Sequence, residues 1–378
     1  MFIHWMFFKR AFRCLKCRPA LLLLLFYSAS NVCAQDTIVL QLKWKHQFQF
    51  AGYYAAQKEG YFTAEGLDVE IRDVDEHRSA TDIVLSGDAQ FGITDSSVVL
   101  SRLKGRSVVV VAAIFQHSPM VLLALESSGI LNPLELRNKR IMYQRNIDDA
   151  ALLAMFTELG LTEYDHTHVP QNFRDDALLS GNADAMSAYI TDQPYFYKEK
   201  GLRVNVMSPA TYGVDFYGDM LFVDERFLKL NKEKVLAFRR ATLKGWQYAV
   251  EHQKEMVDWI RKNLDTDKSR EHLLYEAKYT IDLIQPQDIE LGYFSPNRFV
   301  QIAETYKQLG LAPLTADIEG LNYTDYYEKR SGHMPWLLLV MISISMIFVL
   351  WAFTLWIKWD VVFSTKKESC SGPSLKRY

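Results

Sequence analysis

The sequence predicts an α/β protein built as two lobes with a ligand cleft between them, followed by one C-terminal transmembrane helix. Three observations predict it. Short apolar strands alternate with helices from residue 37 onward. A phrase that ends one helix and opens one strand, Ser86-Gly87-Asp88-Ala89-Gln90-Phe91-Gly92, returns as Ser180-Gly181-Asn182-Ala183-Asp184-Ala185-Met186. An uncharged apolar run covers 336–357. Alternating strands and helices make sheets covered by helices, and two similar halves in tandem imply two cores with a crevice between them.

The first segment carries Lys9, Arg10, Arg13, Lys16 and Arg18, then an apolar run at 20–27, then small and polar residues ending Val32-Cys33-Ala34-Gln35. This is the pattern of a signal peptide, 1–34, cut after Ala34. The apolar run is shorter than the roughly 20 residues a bilayer-spanning helix needs. Left uncleaved, the segment would be an anchor; lipid attachment at Cys33 has a poor approach sequence in Ser30-Asn31-Val32.

The body follows in order. Residues 37–43 are β-branched and read as a strand, 51–59 have helical spacing and end at Gly60, and 67–72 alternate as a second strand. A helix at 79–86, a short strand at 90–93 and a helix at 96–104 come next. The Val-rich run 107–115 has no polar side, the mark of a strand buried on both faces. The pattern then restarts with a strand at 140–143, a helix at 148–159 and a turn into a strand at 180–189. From Val223 the chain reads as amphipathic helices at 234–252, 254–263, 270–280 and 296–309, packed back on the first lobe. The expected organisation is a first part of lobe one at 36–118, lobe two at 119–215, a helical return to lobe one at 216–322, and a link at 323–335.

The run 336–357 is long enough to cross a bilayer, with Trp336 and Trp356 near its ends, where indoles favour the interface. Lys358, Lys366, Lys367, Lys376 and Arg377 follow, which places the tail 358–378 in the cytoplasm and the body outside it. The expectation is that residues from about 35 to 333 are exported and that the chain is held in the membrane by one helix. The tail is too short for a kinase or cyclase domain.

Composition narrows the function. The net charge of -2 gives no broad attraction for nucleic acid. Cys14, Cys17, Cys33 and Cys370 all lie outside 35–357, so the body has no internal disulfide and no cysteine metal site. Cys14 and Cys17 have redox or zinc spacing but no second pair. Neither HExxH nor GxxxxGK[ST] occurs, and no Ser-His-Asp order stands out. No cofactor is called for.

The stretch 40–69, which includes Trp44, Gln47, Phe50, Tyr53 and Gly60, resembles the opening of the thiamine-pyrimidine-synthase-like group of type II periplasmic binding proteins. That group is related to the sulfonate-binding receptors of ABC importers. The stretches 86–92, 115–119 and 212–219 carry the resemblance further, over about 36–322. It implies a two-lobed periplasmic binding protein fold. It also implies a small-molecule ligand, with an ABC permease or a sensor kinase or cyclase as partner. The group includes eukaryotic synthases with a pyridoxal-phosphate lysine, a consumed histidine and a cysteine-rich iron motif. By motif, the lysine position falls on Thr94, the histidine on Val98 and the cysteines around 214–217, and none of those residue types is kept.

The candidate ligand residues follow the strands. Trp44, after the first strand, can stack on a flat ring or pack between lobes. Phe50 and Tyr53 open the next helix, in the cleft or in the core. Asp95, Ser96 and Ser97 precede a helix, where they cap it or meet a ligand. His117 sits at the first crossover. Arg145 follows the first strand of lobe two, as an anion clamp or a solvated side chain. Tyr189 and Asp192 follow a later strand, and Asp215 and Tyr217 lie in the second crossover. Two functions are expected to compete: a receptor closing on a flat, nitrogen-bearing ligand, and a thiamine-pyrimidine synthase, which Thr94 and Val98 disfavour. A structural membrane protein contacting a kinase is a weaker third.

Overall fold

A computed structural model describes residues 37–144, 149–327 and 336–368. The expected signal segment, all four cysteines and Arg145 lie outside the described residues.

Apolar β-branched residues at Ile38–Gln41 give strand β1, buried along its length. A 3₁₀ turn at Phe48–Phe50 leads into α1 (Ala51–Lys58) and the short α2 (Tyr61–Ala64). Strand β2 (Val69–Arg72) is followed by α3 (Ala80–Ser86), where Ser79 accepts from the Asp82 amide at the N-terminus and Gly87 closes the helix at φ 88°. Next come β3 (Phe91–Thr94), α4 (Ser97–Leu103) and β4 (Val108–Ala113). The middle of the chain gives β5 (Met120–Leu125), β6 (Arg140–Tyr143), α5 (Ala150–Glu158), β7 (Thr167–Pro170), β8 (Ala185–Tyr189), α6 (Gln193–Glu199) and β9 (Val204–Met207). Then come β10 (Met220–Asp224), α7 (Glu225–Leu230), α8 (Lys232–Glu251), α9 (Gln253–Asn263), α10 (Arg270–Ile284) and α11 (Pro296–Gln308).

The strands form two five-stranded sheets of one design. The first has the order β2-β1-β3-β10-β4, the second β7-β6-β8-β5-β9. In each, four strands run in one direction, and a strand from the other end of the chain order runs antiparallel in fourth place. The repeated phrase leads into β3 and β8, which hold the same place in the two sheets. Each sheet centres one lobe. The chain passes from β4 to β5 and back from β9 to β10. These two crossovers hydrogen-bond to each other: the Ile114 amide to Asp219 O at 2.9 Å, and the Gly218 amide to Phe115 O at 3.1 Å. A Cβ on Gly218 would lie 2.7 Å from His117 O, so only glycine lets the crossovers approach this closely.

Strand β10 lies inside the stretch expected to return as helix. Met220, Leu221, Phe222 and Val223 are fully buried, a run that suits a strand covered on both faces and inserted between β3 and β4. Helices α1 and α8 press together on the first sheet. A Cβ on Gly245 would come within 2.1 Å of Gly52 O, so the backbones touch there. Beside them Trp246 is buried against Tyr53, and Phe238 of α8 stacks on Phe91 at 3.8 Å. Helix α12 (Trp336–Glu368) contains, at Val340–Ile357, a stretch long and apolar enough to cross a membrane. It continues past Ile357, where a tail was expected, because 358–368 hold no glycine or proline to stop it.

Candidate functional site

Parallel strands in both sheets aim their C-terminal ends at the space between the lobes, where sheets of this type bind ligands. Lys43 and Trp44 leave the end of β1, Asp95 follows β3, Gln144 follows β6 and Tyr189 ends β8. The antiparallel strands bring their first residues to the same place: Met120 opens β5, and Asp219 precedes β10.

These groups connect across the cleft. The Lys43 ammonium donates to Asp95 Oδ2 at 2.5 Å and to the Tyr189 hydroxyl at 2.8 Å. Tyr189 in turn donates to Asp219 Oδ1 at 3.2 Å, and Gln49 Nε2 donates to Asp219 Oδ2 at 2.6 Å. One lysine thus ties the first lobe to the second. Burial works against its charge, but Asp95, Tyr189 and Asp219 outweigh burial and hold its pKa well above the usual value. Burial pushes Asp219 up to about 6 against the pull of Lys43. Asp149, at the start of α5, is pushed by burial up to about 7, although the Gln144 amide donates to it at 2.7 Å.

Around this network lies an inner cavity of about 40 Å³, whose wall includes Lys43, Trp44, Gln47, Asp149, Ser187 and Tyr189. It has room for a few waters, far below the roughly 300 Å³ of a drug-sized site. Residues of both lobes meet around it. Two larger spaces adjoin it: one of about 270 Å³ that shares Lys43, Gln144 and Gln171, and one of about 540 Å³ that shares Trp44 and Gln47.

A second interlobe contact closes the wall. Asp192, fully buried after β8, receives Lys268 and lies 2.8 Å from His272 Nε2 on α10. Burial alone would raise the Asp192 carboxyl, but Lys268 and His272 hold it down at about 2. One turn on, Glu276 accepts from the Phe48 and Gln49 amides at 2.9 and 3.3 Å, and burial pushes it up to about 8.

The structure sorts the expected residues. Trp44, Tyr189 and Asp192 line the inner cavity. Asp95 stands behind Lys43 and accepts from the Ser97 amide at 2.9 Å. Ser96 accepts from the Tyr306 hydroxyl, and Ser97 pairs with Thr94, both buried in lobe one rather than on the cavity wall. Phe50 and Tyr53 are core residues beneath α8 and α10; the Tyr53 ring meets Trp246 at 5.8 Å. Tyr217 is also core, accepting from the Ser295 amide and covered by Arg298. His117 Nδ1 lies 2.9 Å from Asp215 Oδ1 on the outside, joining the two crossovers. Lys43, Asp149, Asp219 and Glu276 went unpredicted. A lysine after a strand, an aspartate before a helix and a glutamate on a helix all read as solvated until distant segments bury them.

The profile of the family described as NMT1/THI5 like matches residues 47–256, more than half of the 378-residue chain. A formylaminopyrimidine-binding protein of Halalkalibacterium halodurans is 27% identical over 243 residues, 63% of this chain and 74% of that protein. A 4-amino-5-hydroxymethyl-2-methylpyrimidine phosphate synthase of Saccharomyces cerevisiae is 25% identical over 254 residues, 62% of this chain and 74% of that enzyme. Among solved structures, a Candida albicans protein with the generic periplasmic binding protein fold matches with TM-score 0.56 at 16% identity, over 77% of this chain and 94% of that one. The alkanesulfonate-binding protein SsuA of Xanthomonas axonopodis pv. citri bound to MOPS matches with TM-score 0.58 at 10% identity, over 76% and 97%. These likenesses show a shared two-lobed periplasmic binding protein fold, and with the profile match they establish that the chain belongs to the NMT1/THI5 like family.

Proposed function

We propose that this chain is a receptor, held to a membrane by α12, whose lobes close outside the cytoplasm on a small, flat, nitrogen-bearing heteroaromatic molecule and leave it chemically unchanged. It then serves uptake or sensing through a permease, kinase or cyclase. The observation that carries the reading is the polarity of the inner cavity. Its one strong cation, Lys43, is already matched by Asp95, and the remaining polar wall is carboxyl, amide and hydroxyl. On that wall Asp149 is pushed by burial up to about 7, so it can donate or accept a hydrogen bond around neutrality. An aminopyrimidine edge, with donor and acceptor side by side, matches such a wall, and Trp44 offers a face for stacking. An anionic sulfonate would meet the carboxyl groups of Asp149 and Asp192 and a cation already engaged.

The synthase reading has a relative in its favour, but Lys43 does not serve it. A Schiff-base lysine attacks as the free amine, and the ion pair with Asp95 keeps this amine protonated. Titration calorimetry of the full chain in detergent tests the proposal. 4-Amino-5-hydroxymethyl-2-methylpyrimidine is expected to bind and propanesulfonate is not. Trp44→Ala is expected to weaken the pyrimidine about tenfold, the loss of one stacking face. Binding of the sulfonate alone would overturn the proposal.

A further inference from the structure

Helix α10 belongs to lobe one at one end and grips lobe two at the other. Its C-terminal end meets a crossover, where Leu283 O accepts from the Gln116 amide at 2.8 Å. In its middle, Glu276 ties it to lobe one through the Phe48 and Gln49 amides. Its N-terminal half lies against lobe two. The Tyr275 hydroxyl donates to Ile190 O at 3.1 Å, and Ser269, just before the helix, donates to Glu199 Oε1 at 2.5 Å. Asp192 receives Lys268 and lies 2.8 Å from His272. The Tyr195 ring of α6 covers His272 and Tyr275, with ring centres 5.0 and 4.9 Å away. This is not the loose pairing of a surface: Asp192, His272 and Lys268 are 0%, 2% and 8% exposed. Burial opposes the charge on Asp192 and on Lys268, yet their partners outweigh it on both, holding the carboxyl at about 2 and the ammonium above its usual value. The pairing therefore favours the joined arrangement over one that returns each group to water. Every member of the contact belongs to the chain itself, so it needs no bound molecule.

We propose that the N-terminal half of α10 is a clasp that holds lobe two against lobe one without help from a ligand, and that its release opens the inner cavity. The crossovers are the hinge. A rise of about 1.5 Å per residue puts His272 about 16 Å along the helix from Leu283, so rotation of the lobes about the crossovers must break the clasp. Asp192 is part of both the clasp and the cavity wall, so parting the one uncovers the other. The strength of the clasp then sets the fraction of molecules open to a ligand, whatever that ligand is.

The test needs no ligand and uses an introduced thiol as reporter. Ser187 lines the inner cavity and is 6% exposed. The full chain carrying Ser187→Cys is treated in detergent with a small methanethiosulfonate, and the modified peptide is followed by mass spectrometry, which separates it from those of Cys14, Cys17, Cys33 and Cys370. Ala112→Cys, buried in β4, serves as the reference for global unfolding. The thiol at 187 is expected to react much faster than the one at 112, because parting the lobes takes less than unfolding the sheet. Tyr275→Phe removes one neutral hydrogen bond across the lobes and is expected to speed the reaction at 187 about fivefold. Lys268→Met leaves Asp192 beside His272 and is expected to speed it about tenfold or more. Tyr275→Phe, which deletes a single oxygen, decides the matter if Lys268→Met does not fold. Equal rates at 187 and 112, or a rate at 187 that the folded variants leave unchanged, would overturn the proposal. Neither result touches the chemistry proposed for the inner cavity, which the calorimetry above tests separately.

Discussion

Replacing Asp149 with Asn is expected to flatten the dependence of folding stability on pH between 5 and 8. Asp149 is 3% exposed, and burial pushes its carboxyl up to about 7, against about 3.9 in an unfolded chain. Across that interval the native protein keeps a proton the unfolded chain has released. Stability therefore falls as pH rises from about 4 and levels off above about 7. Between pH 5 and 8 the native carboxyl surrenders most of its proton while the unfolded one has little left to lose, a difference of about 2 to 3 kcal/mol. Asparagine keeps an acceptor for the Gln144 amide, 2.7 Å away, and carries no charge. Urea unfolding of the full chain in detergent, followed by tryptophan fluorescence at each pH unit, gives the comparison. Asp219 and Glu276, pushed to about 6 and 8, tilt both proteins alike and cancel in the difference. Parallel stability profiles for the two proteins would refute the assignment of Asp149 as a buried, proton-holding group.

Asp192→Asn takes the nearer carboxylate from buried Lys268 and His272, leaving Asp175 and Glu199 at 3.7 and 3.8 Å, and is expected to cost about 3 kcal/mol at pH 7 by urea unfolding. Because the Asp192 pKa is held at about 2, its contribution is full above about 4 and disappears as pH falls through 2, so the variant and wild type are expected to converge in acid. Gly245→Ala puts a methyl group 2.1 Å from Gly52 O and must force α1 and α8 apart; the loss is expected to exceed the gain of about 1 kcal/mol in helix propensity, lowering the midpoint of a thermal melt. His117→Ala, which removes an exposed pair with Asp215, is expected to change stability by less than about 1 kcal/mol in the same melt.

The sequence announced the lobes through local signals. The Val run became β4, the repeated phrase introduced the equivalent strands β3 and β8, and Ser79 and Gly87 marked the ends of α3. The ends of the parallel strands point to Trp44 and Tyr189 as cleft residues, and both line the inner cavity. What stayed hidden depends on partners far along the chain. Lys43 owes its state to Asp95, 52 residues on, and to Tyr189, 146 residues on. Phe50 and Tyr53 were ambiguous because α1 is covered on its outer side as well, by α8, and an inner-face pattern cannot reveal a second cover. Strands β5, β7 and β9 were missed: β7 and β9 are only four residues each and half exposed, and β5 reads as one more apolar run until β8 and β9 flank it.

The place of β10 bears on how the molecule assembles. All strands of the second sheet come from one continuous stretch, 120–207, whereas β3 and β4 are not neighbours and wait for a strand that begins at Met220. A chain made from its N-terminus can finish the later half while the earlier half still has an open seam. The strand that fills this gap also carries Asp219 up to Tyr189 and Gln49, so closing the first sheet and assembling the polar network at the cleft depend on the same segment.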